Sequence, residues 1–150
     1  MSVLSWGKPL VEWAASTSGA PSGTYTAFSE IKEDTAKLTT TAGTKKEATQ
    51  EGGGVIDVRY GENKYQFEVD LFVKKGDKKP FVDVNGVVAG NYAVRLTPED
   101  DKCEGFIMEN CTVTCQESYA SADGMIWKYL FDGLTPASGN ICKPYTKASE

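Results

Sequence analysis

The chain has 150 residues, 40% of them hydrophobic and 25% charged, with a formal net charge of −5. That size and balance suit one globular domain, which can bury roughly 70% of the surface its unfolded chain exposes without covalent staples. The acidic balance argues against a duplex-binding protein, which needs a basic stripe to displace counterions, and it is too mild for a disordered chain.

No apolar run approaches the roughly 20 residues needed to span a bilayer, so no membrane partner is expected. Met1–Trp13 has one Lys, an early Pro and no long apolar stretch. It does not read as an export signal, and the default compartment is the cytoplasm.

Helical periodicity is nearly absent, while β-branched and aromatic residues dominate between Gly, Asn and Asp breaks. The expected fold is mainly β: an antiparallel sandwich or partly closed barrel in a single domain, with a long inter-strand loop and at most one short helix. Strands are predicted over Leu10–Ala15, Thr24–Ile31 and Ala36–Thr41, with a small-residue loop at Ser16–Gly23. The polar stretch TTAGTKKEATQEGGG, Thr40–Gly54, reads as the long loop. A loop of this length in a compact domain is functional or disordered. Its three glycines read as a hinge at the base of an arm.

Val55–Tyr60 and Lys64–Lys74 follow. In the second, Tyr65, Phe67, Val69, Leu71 and Val73 alternate with Gln66, Glu68 and Asp70, the mark of one dry and one wet face. Gly61-Glu62-Asn63 between them predicts a tight turn, and the two runs a long hairpin. Gly76–Gly90 is irregular, with room for a turn of helix in FVDVNGV. Strands then follow at Tyr92–Thr97, Phe106–Tyr119 and Met125–Phe131. The last is apolar on both faces and so is expected to be covered on both. Residues 144–150 read as a flexible tail.

Candidate chemistry is sparse. The chain has no histidine, the usual switch near neutral pH. Cys103, Cys111, Cys115 and Cys142 include no Cys-x-x-Cys pair, and Cys111 and Cys115 would sit about 13 Å apart on one strand face, too far to bridge. They read as small buried hydrophobes rather than zinc ligands. Glu68 and Asp70, about 7 Å apart, have the spacing of a glycosidase pair but sit on the wet face of a regular strand, not in a cleft. Gly52-Gly53-Gly54 precedes a strand and has no Lys-Ser/Thr after it, unlike a phosphate loop. Pro98-Glu99-Asp100-Asp101 lacks calcium-loop spacing and reads as a turn. No enzyme activity, cofactor or metal is expected.

Charge is uneven. Seven acids and one base lie between Pro98 and Gly124, while Lys45-Lys46, Lys74-Lys75 and Lys78-Lys79 mark basic spots. Solvated turns explain this, as would complementary patches on neighbouring subunits.

WGKP at Trp6–Pro9, KLTTTAGTKKEATQEGGGVIDVR at Lys37–Arg59, KYQFEVDLFVKKG, YAVRLTPED and the closing DGMIWKYLFDGLTP resemble, in pattern and order, the tail tube proteins of long-tailed phages and prophages. The resemblance runs from Trp6 to about Lys143. It implies a structural virion protein that partners itself, in hexameric rings stacking into a hollow tube, and that meets other tail proteins. DNA would pass through without specific binding. Localisation would be the bacterial host cytoplasm during assembly, then the virion tail. By position, Thr40–Gly54 would be the loop that reaches neighbouring subunits, through Thr44, Lys45, Lys46, Glu47, Gln50 and Glu51. Asp57, Glu68 and Asp70 would be candidates for the tube lumen. The competing expectation is a carbohydrate-binding or adhesin-like β-sandwich, with Trp6, Trp13 and Trp127 as the aromatics to inspect.

Overall fold

The computed structural model describes residues 6–28, 30–100 and 102–146; Asp101 of the acidic run and the ends 1–5 and 147–150 lie outside these. Among the described residues there is no helix, and every strand pairing is antiparallel. The main strands are β1 (Leu10–Thr17), β4 (Lys37–Thr41), β7 (Lys64–Phe72), β9 (Val87–Thr97), β10 (Gly105–Ala120) and β11 (Gly124–Gly133). Short strands are β2 (Ala20–Pro21), β3 (Thr26–Ala27), β8 (Asp83–Val84) and β12 (Lys143–Tyr145). These form one sheet, ordered β2-β1-β9-β10-β11-β7-β4, with β3, β8 and β12 added at β1, β9 and β10. The remaining two, β5 (Lys45–Thr49) and β6 (Val55–Tyr60), pair only with each other.

Alternation sets the inside of the sheet. Phe67, Val69 and Leu71 of β7 are buried, as are Trp127, Tyr129 and Phe131 of β11 and Cys111, Val113 and Cys115 of β10. All four cysteines are free thiols, and burial pushes the Cys111 and Cys115 thiols above their ordinary pKa. The sheet rolls over these side chains until its two edges almost meet. Phe81 sits at the centre, with ring centroids 4.5 Å from Trp13, 4.7 Å from Tyr92 and 5.3 Å from Tyr129. Such tilted and edge-to-face contacts favour aromatic pairs beyond the area they bury.

One segment straps the two edges together without closing the barrel. Thr26 and Ala27 pair with β1, and the Phe28 N–H donates to the Val11 carbonyl at 2.9 Å. Ile31 then bridges to Leu71 of β7, flanked by Lys32 N–H to Asp70 carbonyl and Phe72 N–H to Glu30 carbonyl bonds. Phe28 points inward between the edges, against Phe81, Tyr129 and Phe131.

Three expectations are corrected here. Val55–Tyr60 does not form a hairpin with Lys64–Phe72; β6 pairs with β5, and β7 lies between β4 and β11. FVDVNGV forms no helical turn but the β8–β9 hairpin, with Asn85 and Gly86 at φ 52° and 89°. Those angles are what a two-residue turn matched to strand twist demands, and Asn-Gly supplies them. The expected tail from 144 begins as β12, where Pro144 and Tyr145 pair with Phe106 and Gly105 of β10.

Candidate assembly interface

The stretch expected as a loop is a projecting β-ribbon. Thr41 stands opposite Lys64 at the end of the β4–β7 pair, and Lys45 opposite Tyr60 at the start of the β5–β6 pair. The residue numbers of each pair sum to the same value from Lys37/Glu68 to Ala48/Asp57, so the two ladders are in phase. They form one long ribbon, pinched at a neck. There the Gly61 N–H donates to the Thr44 carbonyl at 2.7 Å and the Gly43 N–H to Asn63 Oδ1 at 3.0 Å. A Cβ on Gly43 would lie 2.1 Å from the Gly61 carbonyl oxygen, so only glycine lets the backbones approach this closely.

Gly52-Gly53-Gly54 is not the hinge at the base; it forms the tip. Gln50 N–H donates to the Gly54 carbonyl, Gly53 N–H donates to the Gln50 carbonyl, and Gly52 and Gly53 take φ near 93° and 94°. Among the described residues β5 and β6 pack mainly on each other, so Lys45–Thr49 carries no apolar alternation to mark it as a strand.

The expected interface residues all fall on this ribbon: Thr44 at the neck, Lys45, Lys46 and Glu47 on β5, and Gln50 and Glu51 at the tip. Lys45 Nζ lies 2.8 Å from Glu47 Oε1, while Lys46 stands opposite Arg59, like charges facing each other. Apolar groups go uncovered: Val55, Ile56 and Tyr60 are 53%, 67% and 71% exposed.

The lumen candidates separate. Glu68 and Asp70 lie half-buried on the outer face of β7, with Glu68 Oε2 3.5 Å from Lys128 Nζ; Asp57 stands on the ribbon. Neighbouring Gln66 Nε2 donates to Asp132 Oδ1 at 2.8 Å. Of the three tryptophans, Trp13 packs on Phe81 and Trp127 is buried, which removes both from any flat glycan platform; Trp6 is exposed.

The end of the sheet opposite the ribbon holds features the sequence reading passed over. β7 leaves the ribbon at Lys64 and reaches this far end at Phe72, beside Ile126 and the Ser121–Gly124 turn. The Lys74–Pro80 loop crosses here, and Val82, Val84, Val87 and Tyr119 stand exposed. Lys79 pairs with Asp83 at 2.9 Å and with Glu117. Asp83, Cys115 and Glu117 bring their ligand atoms within 4.8 Å of one another, but the Lys79 ammonium takes the place a cation would fill.

No protein-family model matches the chain, and no curated protein matches it as a relative.

Proposed function

We propose that this chain is a self-assembling structural subunit of the tail-tube kind, whose copies join into rings that stack as a hollow conduit for DNA. The observation that carries this reading is the Lys45–Tyr60 ribbon, which projects from the body with Val55, Ile56 and Tyr60 uncovered. A lone two-stranded hairpin is marginal in water, and this one also sets Lys46 against Arg59. Both defects lessen when another subunit packs on the ribbon, covers its apolar groups and holds its two strands together. The outer edges of β4 and β5 are unpaired among the described residues, a liability for a monomer and a joint for an oligomer. In this reading, assembly takes place in the host cytoplasm and the product belongs to the virion tail.

Excising Lys45–Tyr60 and joining Thr44 to Gly61 tests the reading, because those two residues already share a 2.7 Å hydrogen bond. The excised chain is expected to fold as a monomer, while the intact chain forms rings or tubes visible in negative-stain micrographs. An excised chain that assembles like the intact one would overturn the role of the ribbon.

A further inference from the structure

Ribbon and far-end loop lie at opposite ends of the strand axis; the ribbon as a whole carries three bases and three acids, but its outer half is acidic where the loop is basic. The outer half of the ribbon, Glu47–Asp57, holds Glu47, Glu51 and Asp57 and no base. At the far end, Lys74–Lys79 holds four lysines and one acid, Asp77. Local pairing absorbs part of each set: Glu47 pairs with Lys45, Lys74 with Glu30, and Lys79 with Asp83 and Glu117. Among the described residues, Glu51 and Asp57 on the ribbon, and Lys75 and Lys78 on the loop, make no ion pair.

The apolar surface is divided the same way. Val55 and Ile56 are exposed beside the ribbon acids; Val82, Val84 and Val87 are 86%, 73% and 62% exposed at the end where the lysine loop crosses. The ribbon tip therefore offers apolar groups beside the unpaired acids Glu51 and Asp57, with the unpaired cations Lys46 and Arg59 nearer the neck, and the far end offers apolar groups beside the unpaired Lys75 and Lys78. Two identical ribbon tips would set acids against acids, and two identical loops lysines against lysines. Ribbon on loop satisfies both.

We infer that the ribbon tip of one copy docks head to tail on the Lys74–Lys79 loop and Val82–Val87 hairpin of a second copy, with Glu51 and Asp57 facing Lys75 and Lys78. The inference rests on the self-assembly reading and names the surface that receives the ribbon. A contact between two different patches is heterologous, so it propagates from copy to copy instead of closing as a two-fold dimer. It defines the direction in which copies add along the strand axis.

Charge exchange tests it on the full chain. Three variants are compared with the unaltered chain by sedimentation velocity across a concentration series: E51K/D57K, K75E/K78E, and all four substitutions together. Like charges across a contact cost several kcal/mol, so each double variant is expected to need about tenfold or more higher concentration to assemble. The quadruple variant restores opposite charges and is expected to return to within about threefold of the unaltered chain. Double variants that assemble normally, or a quadruple variant no better than the worse double, overturn the docking while leaving self-assembly standing. An unaltered chain that stays monomeric throughout overturns the self-assembly reading, and the docking with it.

Discussion

The guanidinium of Arg95 lies 3.7 Å above the ring centroid of Tyr25, and the ring of Tyr145 is 5.1 Å from the same carbon. Arg95 Nε also donates to Glu12 Oε1 at 3.0 Å, across the β1–β9 ladder. One side chain thus joins the approach to the strap, the first strand and the final strand. Planar stacking and directed donation together need arginine. Arg95→Met is expected to cost about 1–3 kcal/mol in urea denaturation, and Arg95→Lys to recover only part of it.

Phe28 is the inward wedge of the strap. Phe28→Ala is expected to cost about 3–5 kcal/mol, as other buried Phe truncations do. It should also speed hydrogen exchange at the Lys32 and Phe72 amides, which hold the strap to β7. Loss of stability with unchanged exchange at those amides would show that the strap stays seated without its wedge.

Gly43 offers a way to damage the ribbon and spare the body. A side chain there meets the Gly61 carbonyl, so Gly43→Val must spread the neck. The expected outcome is a body whose melting stays within about 1 kcal/mol of the original, since no core contact changes, together with impaired assembly. Normal tubes from this variant would mean that the angle of the ribbon is immaterial.

Asp83 should give the fold part of its acid sensitivity. The Lys79 ammonium, and after it the Gly86 N–H, hold its carboxyl below the usual carboxylate range. A folded-state pKa below the unfolded value of about 3.9 stabilises the fold above that pH, and the benefit disappears as pH falls through the folded value. The stability gap between the original chain and Asp83→Asn is therefore expected to be full at neutral pH and to shrink below about pH 4. Urea midpoints at several pH values would measure it; a gap constant with pH would assign the effect to shape instead of charge.

The body was legible in the sequence wherever one strand face is dry. Phe67, Val69 and Leu71 announced β7, and Met125–Phe131, apolar on both faces, proved to be the interior strand β11 between β10 and β7. Ribbon strand β5 was illegible for the opposite reason: Lys45–Thr49 is exposed along its whole length and leaves no burial pattern. The pairing error followed, because Gly61-Glu62-Asn63 looks like a turn although the true partner of β6 lies before it. Asn85-Gly86 was a readable hairpin signal that the surrounding irregular stretch obscured. The lysine pairs were visible in the sequence, with Lys45-Lys46 reading as a basic spot, but Glu47, Glu51 and Asp57 come together only on the folded ribbon, and only the topology sets Lys74–Lys79 at the end opposite Glu51.

The strap has a consequence for how the molecule comes into being. It fastens residues near the start of the chain to β1, yet β1 with its local partners β2 and β3 joins the rest of the sheet only when β9 arrives, 83 positions along at the Glu12–Arg95 pair. Contacts that distant make folding slow. The ribbon closes locally, between residues 45 and 60, and its receiving loop is anchored only once β10 and β11 exist. On the proposed docking, the ribbon of a nascent chain forms before the loop that would receive another copy's ribbon, so during synthesis a chain could only donate and not yet receive.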